Sequence, residues 1–333
     1  MYDTTKTLQK YYDQVFQDGK LVNLHIGMWS MSYSLKEDDL KLNDRLPDLI
    51  KLGKKMLIKP SVYNCFASLQ QRARNYLYAN AFSFPLVPQA HFVPKTKYLE
   101  VNQQLNAFRD EFVEMKDEFI KNYEAYKQDA VEHYQQFSEQ LNLDAESILS
   151  LYPSADQVAE KFSFEIVSFE IKLPTEFAAV DIHTEVAREL AADEAKKETT
   201  TAYKAEYSRQ LQTHMNKINS FVAEVIDTLR TKVVEHCTLV LNKIKKKDVV
   251  TDSSIKTLMS HIAEFRGLNF IDDKAIEAEL SKVEKLLVGG SDFSKDKNAV
   301  KELQACLAGV IDEAKNISDV ANISGEYFRR LEV

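Results

Sequence analysis

Between Val101 and Leu141 the large apolar side chains recur in steps of mostly three and four: Val101, Leu105, Phe108, Phe112, Met115, Phe119, Tyr123, Tyr126, Ala130, Tyr134, Phe137 and Leu141. This is a continuous stripe along one face of a helix, close to a heptad seam. Neither Gly nor Pro interrupts it. About 41 residues at roughly 1.5 Å each make a rod of about 60 Å, which needs a partner of similar length. Aromatic seam positions are too bulky for a simple Leu/Ile zipper and favour an irregular bundle. A second seam runs through Tyr207, Leu211, Met215, Ile218, Phe221, Val222, Val225, Leu229, Val233, His236, Val240 and Ile244. A third runs through Val300, Leu303, Leu307, Val310, Ala314, Ile317, Ala321, Phe328 and Leu331. The second is expected to be the antiparallel mate of the first, and the third to pack on both, as in a bundle of three or four helices.

Two stretches follow the other period. Val22, Leu24, Ile26 and Met28 alternate with Asn23, His25 and Gly27 inside Leu21–Leu35, which predicts a strand containing the single Trp29. Phe162, Phe164 and Ile166, then Phe169 and Ile171, alternate similarly within Lys161–Leu173, with a phase slip at Val167-Ser168 that suggests a bulge. The two strands are expected to pair. Shorter helices are expected over Thr5–Phe16, around Leu46–Gly53, over Val62–Phe82 with Ser61 as N-cap, and over Ala145–Leu151. Further helices are expected over Ser254–Phe265, Asp273–Val288 and Asp296–Leu331. FSFPLVPQAHFVP, residues 82–94, lacks a helical period and reads as an extended loop stiffened by its prolines. All prolines lie at or before Pro174, so the rest reads as long helices joined by turns.

The predicted fold class is mainly α: an elongated antiparallel helical bundle or coiled-coil rod on a small α/β base with a two-stranded antiparallel sheet. Residues 1–96 and 142–180 would form the base, 97–141 and 181–250 a long helical hairpin, and 251–333 a C-terminal helical segment packing on the rod.

Composition narrows this picture. The chain has 333 residues, 44% of them hydrophobic and 28% charged, which fits a folded protein. A net charge of −8 argues against a general nucleic-acid binder. Three widely spaced cysteines, Cys65, Cys237 and Cys306, give no disulfide framework and no zinc spacing, so a reducing cytoplasm is expected. The start, MYDTTKTLQKYYDQ, has no apolar signal core, and no apolar run is long enough to span a membrane.

Candidate chemistry is sparse. Asp181, His183 and Glu185 alternate, but His183 cannot share a helical face with the other two, so the segment reads as charged surface. His25 and His91 read as partly buried, hydrogen-bonded residues, and His214, His236 and His261 as packing or surface residues on helices. Glu37, Asp38 and Asp39 read as a solvated turn. Lys243, Lys245, Lys246 and Lys247 read as cations complementing a helix C-terminus. Arg72, Arg74, Arg329 and Arg330 are too scattered for a patch. No phosphate loop or nucleophile elbow is present. No catalytic, cofactor-binding or metal-ligating residue is assigned, and no cofactor is expected.

Four motifs carry a resemblance: MWSMSYSLKEDDLKL, LQQRARNYL, the loop closing in HFVPK, and FRDEFVEMKDEFIKNYEAY. Over roughly residues 20–140 the chain resembles an uncharacterised domain family of phages and bacterial mobile elements. Members of that family resemble proteins encoded near MoxR-type AAA ATPases and von Willebrand A-type proteins. The resemblance implies an accessory partner of a chaperone-like ATPase in a bacterial host cytoplasm, and supplies no catalytic residues. The expected function is a non-enzymatic interaction or scaffold protein, either an accessory partner of that ATPase or a homo-oligomeric assembly. Two other readings are a helical membrane-active protein resembling pore-forming toxins, and an enzyme with a site assembled around His25, His91 and Arg72.

Overall fold

The fold was obtained as a computed structural model, which describes residues 12–40, 47, 51–136, 145–171, 194–247, 249–288, 296–316, 323 and 327. It is mostly helical with a small strand component, as the periodicities predict. Helix α1 covers residues 12–18. It is followed by β1 (Gly19–Gly27), β2 (Ser32–Ser34), a 3-10 turn at Glu37–Asp39, β3 (Lys54–Met56), α2 (Pro60–Ala79), β4 (Phe82–Ser83) and β5 (Ala90–Pro94). The helices α3 (Lys95–Lys121), α4 (Tyr123–Gln135), α5 (Ala145–Leu149) and α6 (Ala155–Ala159) precede β6 (Ser163–Phe169). The chain continues through α7 (Glu194–Lys247), α8 (Asp252–Leu268), α9 (Lys274–Val288) and α10 (Lys297–Ala314).

Two compact units share the chain. One takes Met1–Val22, Asn80–Leu99 and Ser168–Val333, and the other takes Asn23–Ala79 and Glu100–Val167. The chain therefore passes between them inside β1, after α2, in the first turn of α3, and inside β6.

The two predicted strands lie side by side, but in a four-stranded sheet of order β4-β5-β1-β6, not a two-stranded one. The additional strands come from residues 82–94, expected to be a loop. Phe82 pairs with Phe92 and Ser83 with His91, antiparallel. Pro85 and Pro88 fall in the connecting turn, where no ladder donor is needed. β1 comes close to β5: a Cβ on Gly19 would overlap the Phe92 ring and the Val93 carbonyl. β1 ends at Gly27, short of the predicted Leu35, and Met31 has a left-handed φ of 53° that extended backbone cannot accommodate. β2 pairs antiparallel with β3 in a second sheet. β3 lies in the link expected after the short helix around Leu46–Gly53, and residues 46 and 48–50 of that helix lie outside the described residues. Helix α2 starts at Pro60, one residue before the expected Ser61 cap, consistent with the preference for proline in a first turn.

In the second unit the long predicted helix is split at Asn122. The Asn122 side chain donates to the Glu118 carbonyl at 2.9 Å while its own N–H donates to the same oxygen at 3.1 Å. Such side-chain competition weakens and bends helices. The stripe otherwise packs as its spacing requires: Val101, Leu105, Phe108, Phe112, Phe119, Tyr123 and Ala130 are buried. Phe66 of α2 meets Phe112, Phe119 and Phe162 at centroid separations of 5.7, 5.9 and 5.0 Å. The buried Trp29 sits edge-on to Tyr123 at 6.0 Å.

The first unit is built on α7, which packs against α8 and α10, with α9 against α10. Ile218, Phe221, Val222, Val225, Leu229, Val233, Val240 and Ile244 of the second seam are buried, as are Val300, Leu303, Leu307, Val310 and Ala314 of the third. Phe221 contacts Phe84 and Phe92 at 5.3 and 5.7 Å, so the β4-β5 hairpin completes this core.

Candidate metal centre

The apolar stripe of α7 places Leu229, Val233 and Val240 in the core, and His236 occupies a position on the same stripe. Helix α8 is capped by Thr251, whose hydroxyl accepts from the Ser254 N–H at 3.2 Å, and buries Leu258, Ile262 and Phe265. That phase leaves His261 and Glu264, one turn apart, half-buried at the edge of the stripe facing α7. The His236 and His261 rings stack at 3.6 Å between centroids with an interplanar angle of 17°. Ligand-capable atoms of His236, His261 and Glu264 all lie within 4.8 Å of one another. These residues border a partly open cavity of about 20 Å³, lined also by Leu229, Cys237 and Phe265. That is room for about one water molecule.

The electrostatics favour neutral imidazole at His236. Burial, then the neighbouring His261, lowers its pKa, against the opposing pull of Glu264. His261 Nδ1 is buried without a hydrogen bond, and Glu264 Oε2 stands 3.7 Å from it. An unsatisfied buried ring nitrogen costs about 1–3 kcal/mol unless something binds it. Lys232 Nζ sits 3.7 Å from the other Glu264 oxygen, Oε1. Burial pushes the Cys237 thiol up to about 12, so it contributes to the wall and is not a thiolate. On the far side of α8, Arg266 bridges Glu277 at 2.7 Å and Glu284 at 2.8 Å, fixing α8 to α9.

A second polar cluster in this unit is centred on a buried ion pair. Arg230 Nε donates to Asp273 Oδ2 at 2.8 Å and Nη2 to Oδ1 at 3.2 Å. Arg230 Nη1 donates to the Glu313 and Asn316 carbonyls, beyond the reach of α10's own ladder, at 3.3 and 3.0 Å. It joins α7, the start of α9 and the end of α10, and reads as a structural clamp.

The residues singled out from the sequence fare differently. Arg72 is committed to Glu111 through two hydrogen bonds at 2.9 and 2.8 Å, with its guanidinium over the Phe108 ring. His25 is exposed, not partly buried as expected, and His91 is half-buried in β5. His214 receives or donates a 3.4 Å hydrogen bond with Tyr12. Asp39 is not in a solvated turn: it is buried and accepts from Lys55 Nζ at 2.8 and 2.7 Å and from the Lys36 N–H at 2.7 Å. Lys243, Lys245 and Lys246 are exposed at the C-terminal end of α7, as expected. Asp181, His183, Glu185, Arg329 and Arg330 lie outside the described residues. The sequence did not bring His236 and His261 together, because they sit on different helices. The one available signal was a histidine in an apolar stripe with a His-x-x-Glu turn elsewhere.

Among the described residues no helix is long and apolar enough to cross a membrane. Residues 17–267 match a family described as a protein of unknown function, DUF3150. No curated protein and no solved structure matches the chain.

Proposed function

Since the chain belongs to the DUF3150 family, whose function is unknown, we propose that it is a non-enzymatic interaction protein that binds a protein partner through the N-terminal half of α7. The observation that carries this reading is the distribution of burial along that helix. Helix α7 is 54 residues long. Among the described side chains between residues 206 and 217, Glu206, Arg209, Gln210, Gln212, Thr213, Asn216 and Lys217 are exposed, His214 and Met215 are half-buried, and none is buried. Glu206 and Arg209 pair with each other at 2.9 Å on the surface, and Gln212 pairs with Asn216 at 3.1 Å. Helices of this kind gain most of their stability from packing. His214 and Met215 face the chain's own core, and the exposed polar side chains from Glu206 to Lys217 on the other faces offer a surface to an occupant from another chain.

The partner class that the resemblance implies is a MoxR-type AAA ATPase of a phage or mobile element. The elongated bundle expected from the seams, and self-association, belong to the same proposal. The test is copurification of the full chain with a MoxR-type ATPase from the same genome, read by size-exclusion chromatography with light scattering. Arg209→Glu is the surface variant, since a fully exposed ion pair contributes little to stability and its reversal leaves the fold intact. The expected result is a complex that R209E weakens. A chain that stays monomeric with every ATPase offered, or a complex indifferent to changes along 206–217, refutes the proposal.

A further inference from the structure

We propose that His236, His261 and Glu264 form a binding site for a divalent transition metal, zinc by preference, that ties α7 to α8. This is independent of the partner reading above. Two imidazoles and one carboxylate are the donor set that borderline-soft first-row metals select, whereas magnesium and calcium select oxygen. Three protein ligands with room for one water is the pattern of an open zinc site. Here the ligands come from two helices, and the adjoining cavity of about 20 Å³ supplies the fourth position.

The geometry needs only side-chain motion. In a tetrahedral site with bonds of about 2.0–2.1 Å the ligand atoms stand about 3.3 Å apart. The three groups already fall within 4.8 Å of one another, so closure by rotation is of order 1 Å. The two rings now stack at 3.6 Å, and parallel rings aim their in-plane lone pairs in parallel. Binding therefore fans the rings open about the edge facing Glu264. The χ2 torsion of histidine is broad and soft, so the backbone need not move.

Three features point to an occupant rather than a packed pair of aromatic rings. His261 Nδ1 is buried and accepts or donates no hydrogen bond among the described residues. Glu264 Oε2 faces that nitrogen at 3.7 Å, too far for a hydrogen bond and close to the span an ion would bridge. Glu264 Oε1 faces Lys232 Nζ at 3.7 Å, leaving one carboxylate oxygen for a metal and the other for an outer cation. Lys232 lowers the affinity by repulsion, which suits a reversible site more than a permanent one.

The experiment uses the full chain, purified and stripped with a chelator. Zinc is titrated by calorimetry, and cobalt(II) is titrated by visible absorption, where imidazole ligation in a four-coordinate site gives an intense ligand-field band. The expected result is one ion per chain, at least tenfold weaker binding in H236A and in H261A, a clear weakening in E264Q, and a rise in unfolding temperature on adding zinc that these variants lose. Where an alanine variant fails to fold, H236Q and H261N keep the side-chain volume and are read in the same way. No zinc binding by the unmodified chain, binding unchanged in the folded variants, or equal binding of magnesium overturns the proposal.

Discussion

Single residues carry the largest energetic stakes where charge is buried. Arg230 and Asp273 are almost fully enclosed, with side chains 3% and 2% exposed. Removing one partner strands the other in a low-dielectric interior, which costs about 3–5 kcal/mol, whereas replacing both with apolar residues of similar volume is often close to neutral. Asp273→Ala should therefore lower stability by about 3–5 kcal/mol in denaturant unfolding, and R230M/D273L should recover much of that loss. A double variant no better than D273A would assign the cost instead to the Ile276 N–H in the first turn of α9, which donates to Asp273 Oδ1 at 3.3 Å. Asp39 gives a pH signature. Burial alone would raise its pKa, but the hydrogen bond from Lys55, the Lys36 N–H and the nearby ammonium charge together hold it below the ordinary carboxylate range. A carboxyl depressed in the folded state stabilises the fold above its unfolded value of about 3.9 and loses that contribution as pH falls through the folded value. Acid unfolding followed by far-UV circular dichroism should thus show a shallower dependence below about pH 4 in D39N than in the unmodified chain.

At the scale of elements, periodicity conveyed helix faces well and chain pairing poorly. Seam positions such as Phe112, Phe119, Leu229 and Leu307 are buried as their spacing demands, because a 3.6-residue period records a local fact about one helix. Asn122 escaped notice because it lies off the stripe, and only its hydrogen bond to Glu118 reveals it as the interruption. Asn122→Ala should remove the competitor and raise stability by about 0.5 kcal/mol, measured by denaturant midpoint. Phe66→Ala, which empties the meeting point of three rings, should cost about 3–5 kcal/mol in the same assay. Two-residue β4 and three-residue β3 are shorter than any alternation that could be read in a sequence, and they exist because a neighbouring strand supplies their partners. Asp39 was read as solvated for the same reason: Lys55, which buries it, arrives on β3. The candidate metal centre was the least legible feature. His236 and His261 meet only because two separate stripes each pack on the same core, a coincidence of faces that no spacing within either helix encodes.

For the whole molecule, the division into units matters more than the length of any helix. Phe84 and Phe92 of the β4-β5 hairpin pack on Phe221, and Tyr12 reaches His214, so the first unit needs segments from both ends of the chain. Residues 168–333 expressed alone should lack that cover. They should bind a hydrophobic dye and lose hydrogen-exchange protection around Phe221 while keeping helical circular dichroism. Full native protection in that fragment would show that the hairpin is dispensable.

The double passage of the chain through the second unit sets a schedule for synthesis. All of Asn23–Ala79 and Glu100–Val167 is synthesised before α7 begins, so the second unit can close while translation continues. Phe84 and Phe92 emerge early, yet their partner Phe221 follows on the order of ten seconds later at bacterial-like rates of roughly 5–20 residues per second. During that interval the hairpin is an uncovered apolar edge, the moment at which a nascent chain is most open to a chaperone or to a neighbouring copy of itself.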